Sequence, residues 1–126
     1  MQFLTLIHID PALLAALPQE EYDRLMRGCF EKADAFRDAG CLLGSQQLED
    51  PATARTLRVR EGLSRVTDGP FAETREFLAG FNLIEADSME AAMAIAREFP
   101  WARFGSIEVR PVRDMQSVRT RVGAPA

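Results

Sequence analysis

Val66-Thr67-Asp68-Gly69-Pro70-Phe71-Ala72-Glu73-Thr74-Arg75-Glu76, with Gly80-Phe81-Asn82-Leu83-Ile84-Glu85 behind it, joins two runs of strand-forming residues. Asp-Gly is a strong turn dipeptide, because Asp hydrogen-bonds its own downstream backbone and Gly accepts positive φ. Pro70 fixes its own φ, removes a donor and pushes Gly69 out of the right-handed helical region. The result is a stiff polar loop with two carboxylates and a guanidinium directly after it. Its plain reading is a connector whose Asp68 closes its own turn. Its functional reading is one wall of a binding site, since functional residues concentrate on positioned loops.

Upstream of the loop, Thr56 to Arg60 alternates, with Leu57 and Val59 on one face and Thr56, Arg58 and Arg60 on the other. Glu61-Gly62 turns the chain into Leu63 to Thr67, so a hairpin delivers Asp68. Downstream, Phe81 to Ala86 reads as a strand. Nearer the start, Gln2 to His8 is apolar on both faces and therefore a central strand. Asp10-Pro11 opens a short helical turn through Leu17. Pro18 restarts a longer helix to about Ala39, with Tyr22, Leu25, Met26, Cys29, Ala33 and Phe36 as its buried stripe and Gly40 as its stop. Cys41 to Leu48 is the second strand. Asp87 or Ser88 caps a second helix whose inner face is Ala91, Ala92, Ile95, Ala96 and Phe99, ended by Pro100. Ser106 to Val112 is the last strand. From about Asp114 the periodicity is lost, which predicts a tail over residues 113–126 that is mobile or lies along a partner subunit.

This order predicts an α+β fold: a ferredoxin-like split βαβ unit over residues 1–112, with an inserted hairpin and two helices on one face of an antiparallel sheet. The other sheet face would carry apolar residues beside Thr56, Arg58, Glu108 and Arg110. That face needs cover, so a homodimer is expected.

The motif quoted first resembles the signature of the DGPF proteins, a bacterial branch of the YCII-related superfamily. The likeness extends to Phe3-Leu4-Thr5-Leu6-Ile7, to Pro51-Ala52-Thr53-Ala54 and to Arg103 through Val112. The resemblance implies a dimeric α/β barrel and leaves the reaction unassigned. The wider superfamily is thought to use a His/Asp pair, with the histidine near the start of the first long helix and the aspartate before a proline after the second. The corresponding segments here read Glu20-Glu21-Tyr22-Asp23 and Glu98-Phe99-Pro100, so that mechanism does not carry over. DGPF-like proteins are often encoded beside alternative sigma factors, which adds a regulatory partner to the expectations.

The totals narrow the choice. With 126 residues the chain fits one domain, and 47% hydrophobic with 27% charged residues is ordinary for a globular protein. A net charge of −4 gives no electrostatic reason for nucleic-acid or anionic-membrane binding. Met1 opens directly into a strand, and no apolar run approaches a membrane span, so a cytoplasmic chain is expected. Cys29 and Cys41 read as small buried hydrophobes; neither a metal site nor a cofactor is predicted. His8, the sole histidine, ends the central strand and is the candidate general base, with Asp10 or Asp68 orienting it. The candidate ligand-binding set is Asp68, Gly69, Pro70, Phe71, Glu73 and Arg110. Three readings follow: a homodimeric small-molecule-binding domain with a cleft near the Asp68 loop, a lyase- or hydrolase-type enzyme using His8 and an aspartate, and a partner in a sigma-factor-linked pathway.

Overall fold

The computed structural model describes residues 1–71 and 75–126. Strand β1 (Gln2–Ile9) is central, paired antiparallel to β5 (Phe77–Glu85) on one side and to β6 (Gly105–Pro111) on the other. Strand β2 (Leu42–Gln47) pairs with the far side of β5, giving the order β2-β5-β1-β6 expected of a ferredoxin-like unit. Helix α1 (Pro11–Ala15) begins where Asp10 accepts from the Ala12 amide at 3.0 Å and Pro11 occupies the first helical position. Helix α2 (Gln19–Asp38) ends in a Schellman turn: Cys41 N–H bonds Phe36 O at 2.8 Å around Gly40 at φ 80°. Ser88 caps α3 (Met89–Arg97) through the Ala91 amide. Both α2 and α3 lie on one face of the sheet.

The core sits between those helices and the sheet. Phe3, Leu42, Ile84 and Ala92 are buried together, with Ala33, Phe36, Met89, Ile95 and Val109 packed around them. Strand alternation fixes which neighbours share that face. Thr5, Ile7 and Ile9 follow Phe3 on β1, and Asn82 follows Ile84 on β5. Leu4, Leu6, Phe81 and Leu83 point to the opposite face, over which no helix packs among the described residues.

Three features differ from the sequence reading or add to it. Strands β3 (Arg55–Arg60) and β4 (Leu63–Asp68) form a separate two-stranded sheet, so Thr56 and Arg58 do not extend the main sheet face. The hairpin leaves Leu57, Val59 and Val66 exposed on one side. Within the 113–126 tail, where no regular element was read from the sequence, Met115–Val122 forms α4, capped by Asp114 through the Gln116 and Ser117 amides and closed by Gly123 at φ 74°. Its start and stop signals are in the sequence, and Met115, Val118 and Val122 recur at i, i+3, i+7, but the stripe is only three residues long and none of them is buried. Strand β5 also starts four residues earlier than its apolar run suggests, at Phe77.

Candidate functional site

Helix α2 has 20 residues and α3 only nine, so at 1.5 Å per residue they span about 30 Å and 14 Å. Where α3 ends, the N-terminal turns of α2 continue alone over the sheet. Beneath them lies a cleft of about 560 Å³, within the size range of small-molecule sites. Met26, Cys29 and Ala33 of α2 form its roof, and Ile7 and Ile9 of β1 line its inner side. Tyr22, Phe77, Phe99 and Trp101 supply aromatic walls, with Tyr22 and Trp101 tilted at a centroid distance of 6.4 Å. The sheet is irregular at this point. Ile7 pairs with Gly80 but His8 with Leu78, so Ala79 is an extra residue that bulges into the cleft wall.

The floor is polar. Ser45 Oγ donates to Asn82 Oδ1 at 2.6 Å, and Thr5 Oγ1 donates to the Asn82 carbonyl at 3.4 Å. Asn82 is 6% exposed. Among the described residues no Lys, Arg or His lines the cleft, and its one acidic residue is Asp50, whose Oδ1 is engaged by the Ala52 amide. Burial pushes the Cys29 thiol up to about 11, so at neutral pH it is a protonated, apolar part of the roof and no nucleophile.

The side chains singled out in the sequence lie elsewhere. His8 is on the opposite sheet face, its Nε2 3.6 Å from Glu108 Oε1, and Arg110 Nε is 3.9 Å from Glu108 Oε2. His8 and Arg110 are thus brought together through Glu108, with neither expected aspartate beside them. Asp10 is buried, and its two oxygens serve the Ala12 amide and Arg75 Nε, the latter at 2.8 Å. Asp68, with a 92% exposed side chain, is 3.7 Å from Arg55 across the hairpin.

The loop after Asp68 is held to the polar side of the hairpin. Gly69 N–H donates to Ala54 O at 2.7 Å, and Thr56 Oγ1 donates to Gly69 O at 2.9 Å. Arg58 donates to Phe71 O and lies 5.4 Å from the exposed Phe71 ring. Gly69 takes φ 98°, the conformation the Asp-Gly turn requires. His8, Asp68, Gly69, Pro70, Phe71 and Arg110 do not line the cleft, and Glu73 lies outside the described residues. Sequence reasoning did not single out Asn82 and Ser45. The available signal was an asparagine inside Phe81-Asn82-Leu83-Ile84, since a polar group in a buried run needs a partner.

The YCII-related domain profile matches residues 1–116. The chain belongs to the YCII-related family. It is also 38% identical over 114 residues to an uncharacterised protein of Rhizobium meliloti (strain 1021), covering 89% of this chain and 92% of that one. This YCII-related chain has the antiparallel sheet and one-sided helices anticipated for the family. Its Tyr22 and Phe99, from the two segments compared with the superfamily's His/Asp pair, both line the cleft. Among the described residues no helix is long and apolar enough to cross a membrane, and no cluster of His, Cys, Asp or Glu is arranged to hold a metal.

Proposed function

We infer that this YCII-related protein is a homodimeric small-molecule-binding domain and that its ligand occupies the cleft beneath the N-terminal half of α2. The observation that carries the reading is the cleft itself: an aromatic-walled space of about 560 Å³ over a few convergent polar groups, the usual construction of a ligand site. Its lining favours binding over catalysis. Aromatic Tyr22 and Phe99 occupy it, and the Cys29 thiol stays protonated. N-phenylnaphthylamine, a neutral apolar dye that brightens in dry pockets, tests the reading. A saturable signal at one dye per chain is expected; a linear, non-saturating response would remove it.

The dimer rests on the face opposite the helices. An antiparallel sheet with a solvated face alternates apolar and polar residues, yet Leu4, Leu6, Phe81 and Leu83 meet in register at the centre of this one. The exposed Leu57, Val59 and Val66 of the hairpin add a second uncovered apolar strip. A two-stranded ribbon is marginal on its own, and a second copy would cover both surfaces. Sedimentation equilibrium at micromolar concentration is expected to return twice the 14.0 kDa chain mass; a monomer would contradict the dimer while leaving the cleft reading intact.

A further inference from the structure

Asn82 has a side-chain NH2 with no hydrogen-bond partner among the described residues. The residue is 6% exposed and sits between apolar neighbours on a central strand. Its Oδ1 accepts from Ser45, which turns Nδ2 away from Ser45. Among the described residues Nδ2 has no partner, while every enclosed side-chain nitrogen or oxygen has one. Asn82 lines the cleft, and Nδ2, not fully enclosed, is the donor it has left to offer there. An asparagine amide offers two N–H donors, and a donor left unused in apolar surroundings costs free energy that a ligand acceptor would recover.

Resting on the cleft reading above, we propose that Asn82 is the specificity-determining donor of the site and that the ligand is a neutral, ring-bearing molecule whose carbonyl oxygen accepts from Asn82 Nδ2. The walls select the rings: Tyr22, Phe77, Phe99 and Trp101 offer flat apolar surfaces. The charge balance selects neutrality. A carboxylate on the ligand would be desolvated with no lining cation among the described residues to meet it, and Asp50 adds only negative charge. The floor selects a carbonyl, because Ser45 already spends its hydroxyl proton on Asn82. A carbonyl accepts without bringing a donor of its own that would need burying.

Two neutral dyes of similar size separate this assignment from the cleft reading. Prodan is a naphthalene ketone whose emission moves to the red when its carbonyl accepts a hydrogen bond; N-phenylnaphthylamine has no carbonyl. The wild type is expected to bind both, with bound prodan emitting to the red of its emission in an aprotic apolar solvent. Asn82→Leu, similar in volume and without a donor, is expected to weaken prodan roughly tenfold and to leave N-phenylnaphthylamine nearly unchanged. Asn82→Asp keeps the acceptor for Ser45, replaces the donor, and is expected to lose prodan as well. Equal prodan affinity in the wild type and Asn82→Leu, or bound emission matching the aprotic solvent, would overturn the assignment while N-phenylnaphthylamine binding left the cleft reading standing. Failure of the wild type to bind either dye would remove both. If circular dichroism shows that the variants do not fold, the wild-type prodan emission decides alone.

Discussion

Gly105→Ala is expected to destabilise the protein by about 3 kcal/mol or to prevent folding, the upper end of what overpacking costs. A Cβ built on Gly105 would lie 2.0 Å from the His8 carbonyl oxygen and 2.9 Å from Ile9 Cα. Both are backbone atoms of the central strand, so no side-chain rotation relieves the contact. Gly105 opens β6 opposite Ile9, and next to it Asp10 N–H donates to Phe104 O at 2.8 Å. Pushing β6 away would open that pairing and loosen the Asp10 junction from which α1 starts. Urea unfolding at a fixed protomer concentration measures the effect, and a change under about 1 kcal/mol would show that the strands do not approach this closely.

Phe3→Ala should cost about 3–5 kcal/mol, the range for deleting a buried aromatic ring. Phe3 is 1% exposed and lies opposite Ile84, with Leu42 and Ala92 completing the cluster. Against the 5–15 kcal/mol that holds most domains folded, such a loss is a large fraction of the total. Leu57→Ala removes an apolar side chain from an exposed hairpin face, so under the proposed dimer its effect should depend on protein concentration. The same urea titration separates the two, and a Phe3→Ala loss below about 1 kcal/mol would place the core elsewhere.

The frame of the fold was readable because each element carried its own local signal. The both-sided apolar pattern of Phe3 to Ile7 marks a strand with neighbours on each side, and it is the central one. Asp10-Pro11, Gly40 and Ser88 mark helix ends by capping chemistry that needs no tertiary information. Helix α4 escaped because its apolar stripe is only Met115, Val118 and Val122, two turns long, and no core claims it. The hairpin was recognised as a hairpin, but its separation from the main sheet was not, because alternation within β3 and β4 is the same in either arrangement.

The site was harder to read, for a related reason. His8, Asp68 and Arg110 attract notice because titratable groups at strand ends and in Gly-Pro turns often do chemistry. The cleft instead arises from a length difference between α2 and α3 and from one bulged residue, Ala79. No single residue announces either. Asn82 and Ser45 are 37 positions apart and meet only because β2 pairs with β5 at Ser45 opposite Asn82. That register depends on the close approach at Gly80, where an added Cβ would sit 2.7 Å from the Gln46 carbonyl oxygen.

The most direct test of where the ligand goes is a two-dimensional amide NMR spectrum of the wild-type protein titrated with N-phenylnaphthylamine. A ligand in the cleft predicts saturable shifts at Cys29, Ser45, Ala79 and Asn82, with Asp68, Glu108 and Arg110 unmoved. Saturable shifts at Glu108, Arg110 and Asp68, with the four cleft amides still, would contradict the account and return the site to the opposite sheet face and the hairpin loop.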